Sequence, residues 1–257
     1  MQWNDTSTRQ GLVQEMEDEC GLGATGITGN TTLFQQFTRW ANVAHKKVIR
    51  WILNSEDGFD FDDANYTTFP SGTFTGTTNR DYEFDPTLKM LKLKTVGICY
   101  DGTNYTKALP IDTADPDFWK VKADPNVDQL FSQSTPRYDA TAAGINIYPK
   151  FTAAQVTAGA NVYVEYYRDA KTDFATTGTD SLEPGFDSAF HEVIAKLAAL
   201  EYAKLYKQDL VNDLKNEIYG IRTRYANVPG IVDNIVEHYS FRVPQAKRLR
   251  PIYRNPR

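Results

Sequence analysis

One apolar stripe constrains this chain more than any other feature. Leu33, Phe37, Trp40, Ala44, Val48 and Trp51 recur at steps of three and four residues, the repeat that places side chains on one face of an α-helix. The spacing predicts an amphipathic helix from about Thr32 to Leu53, with Arg39, His45, Lys46, Lys47 and Arg50 on its other faces. A helix of that kind needs partners to cover its apolar face, and the chain supplies them on both sides. Upstream, Ser7-Thr8-Arg9-Gln10 has the form of a capping box, followed at helical spacing by Leu12, Val13, Met16 and Cys20, with Gly21 as a stop. Downstream, residues 187–226 contain no proline and a single Thr, and they read as helix throughout with Asp187 as N-cap. Phe190, Ile194, Leu197, Glu201 and Leu205 mark its first half, and Leu210, Leu214, Ile218, Ile221 and Tyr225 its second. Pro229-Gly230 breaks it, and Ile231, Ile235 and Tyr239 predict one more short helix.

The stretch between these helices has a different character. Thr fills 19 of the 119 positions from 61 to 179, and Pro, Gly and Asp punctuate short apolar runs. Strands are expected at Tyr82–Phe84, Lys89–Tyr100, Tyr105–Leu109, Ile145–Tyr148 and Val162–Arg168. In the last, Val162, Val164 and Tyr166 alternate with Tyr163, Glu165 and Tyr167, the pattern of a half-covered strand. Lys89, Lys92 and Lys94 are placed to blunt a strand face or edge. The expected fold class is α+β: a helical bundle from residues 1–60 and 180–241, an inserted antiparallel β domain at 61–179, and an extended arm at 242–257.

The arm stands out by charge. Arg242, Lys247, Arg248, Arg250, Arg254 and Arg257 are its six basic residues, with no acidic one; subtracting six from a net charge of −5 leaves −11 on residues 1–241. Pro244, Pro251 and Pro256 forbid a continuous helix there, and Leu249, Ile252 and Tyr253 give the basic stretch apolar anchors. Such a tail on an acidic body is expected to become ordered on a partner.

Chemistry-bearing motifs fail on inspection. Gly21-Leu22-Gly23-Ala24-Thr25-Gly26 spells G-x-G-x-x-G, but Glu15, Glu17, Asp18 and Glu19 precede it where a dinucleotide site needs a buried strand; a flexible loop is expected over 21–30. His191-Glu192 begins like a zinc-protease helix, yet Ala195 stands where the second ligand belongs. His45, His191 and His238 have no ligand at fixed spacing and are expected to be packing or helix-surface residues. Asp57, Asp60, Asp62 and Asp63 cluster, in the wrong order for a calcium loop. Cys20 and Cys99 are too few for a disulfide framework and suit a reducing compartment. No stretch approaches a membrane span, and the first residues lack a signal peptide's apolar run. No enzyme, metal or cofactor is expected.

Four blocks, taken in order, carry a resemblance. They are Trp3-Asn4-Asp5-Thr6-Ser7-Thr8-Arg9-Gln10-Gly11-Leu12-Val13; then Arg39-Trp40-Ala41-Asn42 with Val48-Ile49-Arg50-Trp51-Ile52-Leu53 leading into Phe59-Asp60-Phe61-Asp62-Asp63-Ala64-Asn65; then Leu182-Glu183-Pro184-Gly185-Phe186 with Phe190-His191 and Ala198-Ala199-Leu200-Glu201-Tyr202-Ala203; and finally His238-Tyr239-Ser240-Phe241-Arg242 with the basic tail. In this order they resemble head–tail adaptor (connector) proteins of tailed bacteriophages. The resemblance implies a structural virion protein at the head–tail junction, made in the bacterial host cytoplasm. It would form a ring, usually of twelve copies, beneath the portal protein. It would join the portal to a downstream neck or tail protein and let genomic DNA pass through its lumen without sequence recognition. On that reading the arm residues Arg242, Lys247, Arg248, Arg250, Tyr253 and Arg254 contact the portal. The alternatives are another neck or tail part (tail completion or receptor binding), or a DNA-binding protein that uses the arm.

Overall fold

In a computed structural model of the chain, the structure describes residues 1–55, 70–111, 126–170, 172–223 and 226–240. The helices are α1 (Leu12–Glu19), α2 (Thr31–Asn54), α3 (Ala153–Thr157), α4 (Glu192–Tyr206), α5 (Leu210–Tyr219) and α6 (Ile231–Ser240). The strands are β1 (Ser71–Thr75), β2 (Asp81–Glu83), β3 (Met90–Cys99), β4 (Tyr105–Pro110), β5 (Arg137–Ala140), β6 (Gly144–Tyr148), β7 (Asn161–Arg168), β8 (Ile221–Arg222) and β9 (Asn227–Val228). Together they make a mixed α+β protein with two compact units. One contains the described residues before 56 and from Asp169 onward, and the other those from 70 to Arg168. The chain returns to the helical unit at Asp169 rather than at 180, because Ala170 and Phe174 are buried in the helical core.

The helical unit is organised around α4, which packs against α1, α2 and α5. Val193, Ile194, Ala195, Leu197, Ala198, Ala199, Leu200 and Ala203 of α4 are all buried, so this helix is apolar nearly all round, as a central helix must be. Its alanines let three neighbours approach closely, since interaxial distance is set by the side chains at the crossing. Two positions expected on its buried stripe face solvent instead: Glu201 is exposed, and Leu205 is 63% exposed.

Helix α2 forms as expected, with the Asn30 side chain accepting from Leu33 N at 3.1 Å to cap it. Its buried surface is wider than the stripe. Phe34, Ala41, Ile49 and Ile52 are buried, while Leu33, Trp40 and Trp51 are half-buried. His45, expected on an outer face, is only 2% exposed, because Phe174 (ring centroids 5.0 Å) and Phe186 (6.0 Å) cover that side of the helix.

The expected capping box does not form. Helix α1 starts at Leu12 behind Gly11, with no side-chain cap. Ser7 N and Thr8 N donate instead to the Asp5 carboxylate, at 3.1 and 3.0 Å, an Asx-type turn that competes with helix formation. Gly21 ends α1 as expected, at φ +55°, a conformation open to glycine at little cost. The loop after it is anchored rather than free: Ile27 is buried and its N–H donates to the buried Glu17 carboxylate at 3.1 Å.

The long helix expected over 187–226 is interrupted twice. Asp187 does cap a 3-10 turn at Ser188–Phe190, accepting from Ala189 N at 3.1 Å. Lys207 then leaves helical geometry, and its ammonium donates to Cys20 O at 2.7 Å, satisfying a carbonyl beyond the end of α1. Gly220 stops α5 at φ +77°; a Cβ there would lie 2.2 Å from Val228 O. Ile221 therefore leaves the apolar stripe and pairs with Val228 in the two-stranded β8–β9 ribbon. The short helix α6 forms as expected, with Ile235 and Tyr239 buried.

The second unit is a seven-stranded sheet in the order β1-β7-β3-β4-β5-β6-β2. The five expected strands all form, and β1 and β5 add to them. The sheet is not purely antiparallel, because β4 and β5 pair in parallel through Leu109↔Arg137 and Pro110↔Tyr138. It curls until its outer strands meet: Phe74 after β1's centre and Phe84 just beyond β2 lie 5.3 Å apart, and Tyr82 OH accepts from Thr77 N at 3.0 Å. The result is a nearly closed barrel around Val96, Ile98, Ile145, Ile147, Phe151, Val162 and Val164. Along β7 burial alternates residue by residue, with Val162, Val164, Tyr166 and Arg168 inside. Strand β3 pairs with β4 only from Val96 to Cys99, so Lys92 and Lys94 fall on the half that β4 leaves.

Candidate functional site

The described residues of the resemblance blocks come together in the helical unit. Trp3 is fully buried, stacked on Phe174 (4.5 Å, 11° between planes) and beside Phe34 (6.3 Å). Its indole N–H donates to Ala175 O at 2.8 Å, its main-chain N–H to Leu182 O at 2.7 Å, and its carbonyl accepts from Val13 N at 3.0 Å. The Asn42 amide clasps Phe174 from the other side, donating to Phe174 O (2.9 Å) and accepting from Phe174 N (2.8 Å). Thus Trp3, Asn42 and Leu182, each from a different block, converge on the segment 174–182. Tyr239, from the last block, accepts from Asp187 N at 2.9 Å.

At the centre of this network sits His191, 0% exposed. Its Nε2 is 2.8 Å from Phe186 O and its Nδ1 2.7 Å from the Met1 ammonium. The ammonium can only donate, so Nδ1 accepts and the ring is the neutral Nε2–H tautomer, donating to Phe186 O. Burial pushes the His191 pKa below its usual value, and the Met1 charge acts in the same sense; Phe186 O and Glu183 oppose them. His191 and His45 are thus packing residues, and His238 lies against Phe190 at 5.1 Å with Nε2 3.4 Å from Asp187.

This arrangement makes folding pH-dependent in a definite direction. In the unfolded chain His191 binds a proton near pH 6.5, whereas the folded protein resists it to lower pH. Below pH 6.5 the unfolded state holds more protons, so stability falls as pH falls. His191→Gln, which keeps a donor for Phe186 O, is expected to flatten the urea-midpoint profile of the helical unit between pH 5 and 6.5. Glu15, whose pKa burial and the Glu19 charge raise, works in the opposite sense, but both proteins share it. Identical profiles for the two proteins would refute the assignment.

Comparison with known protein families and with curated proteins finds no match to this chain.

The thiols are not poised for chemistry at neutral pH. Cys20 and Cys99 are both buried and free; burial pushes Cys20 up to about 12 and, with Asp101 beside it, raises Cys99 as well. Among the described residues no three His, Cys, Asp or Glu side chains gather as a metal site, and no helix is long and apolar enough to cross a membrane. A cleft of about 740 Å³ opens in the sheet unit where β4 leaves β3, lined by Phe84, Met90, Leu93, Pro110, Tyr138 and Gly144 among others.

Two sequence-predicted sites lie outside the described residues: the arm with Arg242, Lys247, Arg248, Arg250, Tyr253 and Arg254, and the Asp57, Asp60, Asp62 and Asp63 cluster. The sequence reading missed a surface on the helical unit. Trp40, Val43, Lys47 and Trp51 form a second, outward row on α2, continued by Tyr202, Leu205 and Tyr206 on α4. Phe37 links the two helices, 5.2 Å from Trp40 and 5.4 Å from Tyr202, and Tyr206 lies tilted 4.9 Å beyond Tyr202. Lys47 reaches over Trp51 and Tyr219 at 5.1 and 5.3 Å and donates to Tyr219 OH at 2.8 Å. The signal was present in the sequence as a row at steps of three and four (40, 43, 47, 51), which spacing alone merges with the apolar stripe because Trp40 and Trp51 fall in both.

Proposed function

We propose that this protein is a structural component of a tailed-phage virion. In this reading it is a head–tail adaptor whose copies form a ring beneath the portal, join it to the next neck or tail protein, and continue the DNA channel. The observation that carries the reading is the convergence of the blocks: Trp3, Asn42, Leu182, His191 and Tyr239 are far apart in the chain yet tie one fold together. They behave as a coherent structural signature, which is what an ordered resemblance along the whole chain requires. In this reading the helical unit is the bundle of the ring wall, the sheet unit is an inserted β domain offered to neighbouring or tail proteins, and residues 242–257 are the arm that docks on the portal. The protein works without catalysis or cofactor. An acidic body is suited to a channel wall, since it does not hold the phosphate backbone of passing DNA.

The test is native mass spectrometry of the protein mixed with its cognate portal, with and without residues 242–257. One copy per portal subunit, lost on truncation, is the expected result. No complex with the full chain would overturn the portal role. Steep salt-dependent duplex binding that is lost with the arm would favour a DNA-binding protein in its place.

A further inference from the structure

The helical unit carries two surfaces of opposite charge. Helix α2 holds Arg39, Lys46, Lys47 and Arg50 and no acidic residue across its 24 positions. Lys46 and Arg50 reach Asp173 and Asp169, at 3.1 and 3.5 Å, on one flank. Arg39 and Lys47 stay on the outer side with Trp40, Val43 (62% exposed), Leu205 (63%) and Tyr206 (59%). A cationic, aromatic crest of this kind is unusual on a surface with no partner, because contiguous apolar area is costly to leave in water.

The other surface is acidic. Helix α1 holds Glu15, Glu17, Asp18 and Glu19 and no basic residue, and of these Glu15, Asp18 and Glu19 reach the surface. The half-buried Lys196 of α4 joins Glu19 of α1 and Glu217 of α5, at 2.5 and 2.8 Å. Asp213, one turn before Glu217 on α5, and Glu192, one turn before Lys196 on α4, extend the same face. Glu15 feels Glu19, Glu192 and Asp18 as repulsive neighbours. Lys196, and Arg9 at 3.6 Å from Asp18, offset part of the charge of these six carboxylates.

We infer that the α2–α4 crest of one copy docks on the α1–α5 acidic face of the next, a contact that rests on the ring reading and specifies its lateral interface. Crest against crest and acidic face against acidic face both repel, so a two-fold pairing is disfavoured and the contact is head-to-tail. Lys196 and Tyr202, which mark the two faces on α4, are six residues apart and so point about 120° apart around that helix. One copy can therefore engage two neighbours at once. The aromatic row supplies contact area and the charges fix register.

A charge swap tests the contact on the chain alone, without portal. The crest variant carries Arg39→Glu and Lys47→Glu, and the face variant Asp18→Lys and Glu217→Lys. By sedimentation at low salt, the native chain is expected to self-associate and each variant to do so at least about tenfold more weakly. Mixed together, the two variants are expected to recover assembly, because the reversed crest of one fits the reversed face of the other, and the native crest of the second fits the native face of the first. That recovery also shows that both are folded. A native chain that stays monomeric, variants that assemble as well as the native chain, or a mixture that fails to recover would each overturn the contact. Self-association without portal docking would leave this contact standing and count against the adaptor role.

Discussion

Replacing Trp3 with alanine is expected to destabilise the helical unit by about 3–5 kcal/mol, the range for deleting a large aromatic side chain from a well-packed interior. Three terms contribute. The indole is fully buried against Phe174 and Phe34, so its removal opens a cavity between the start of the chain and α2. The offset stacking is lost with it. The Ala175 carbonyl, which accepts from the indole N–H at 2.8 Å, loses that donor. Trp3→Phe restores most of the volume but not the donor, and its cost is expected to fall to about 1–3 kcal/mol. At roughly 2–4 °C per kcal/mol for a unit of this size, the alanine variant should melt on the order of 10 °C lower. Thermal unfolding followed by tryptophan-independent far-UV dichroism, with amide exchange to separate the two units, reads the effect. Protection in the sheet unit should not change, because Trp3 belongs to the core cluster of the helical unit and the sheet unit has a core cluster of its own. A loss below about 1 kcal/mol would show that the first residues decorate the fold rather than build it.

The elements legible in the sequence are those whose burial has a single period. Strand β7 shows its alternation directly, and α2 and α6 show theirs. Where burial is two-sided the period disappears: α4 is buried nearly all round, so Glu201 and Leu205 passed for core positions on spacing alone. The same cause hid His45, because a polar residue on a helix reads as outward unless the segment that covers it, here Phe174 to Phe186, is known to be there. Strands β1 (Ser71-Gly72-Thr73-Phe74-Thr75) and β5 (Arg137-Tyr138-Asp139-Ala140) lack apolar runs and are specified by their partners β7 and β6 rather than by propensity. The break at Gly220 was visible as a glycine, but only the close approach of Val228 O explains why the chain turns there. The crest on α2 was legible in retrospect, since Val43 and Lys47 follow Trp40 at helical steps. Its meaning depends on the acidic face, which three helices build together and no sequence window contains.

The largest functional effect is expected from reversing charge in the arm. Arg248→Glu with Arg250→Glu changes residues 242–257 from +6 to +2, and on the proposed adaptor reading portal affinity should drop by at least about 100-fold, tenfold for each site. That is a lower bound, because truncating one partner of a desolvated charge pair costs about 2–5 kcal/mol, and a reversal adds repulsion to the loss. Both units should melt as in the native chain, since the fold described above uses neither residue. The conservative pair Arg248→Lys and Arg250→Lys keeps the charge and removes the planar fork. If the portal holds these residues by bidentate contacts to carboxylates, the lysine variant loses affinity through faster dissociation. If the arm only steers approach, lysine binds like arginine, and the glutamate variant differs in association rate and loses that difference at high salt. The acidic body sharpens the contrast: residues 1–241 carry −11, so on the proposed reading the charge of residues 1–241 competes at low salt with the portal for the basic arm. Native affinity should therefore pass through a maximum at intermediate ionic strength, where self-attraction is screened and short, desolvated portal contacts are not. Monotonic weakening with salt from the lowest concentration, together with full binding by the glutamate variant, would show that the arm does not dock the protein.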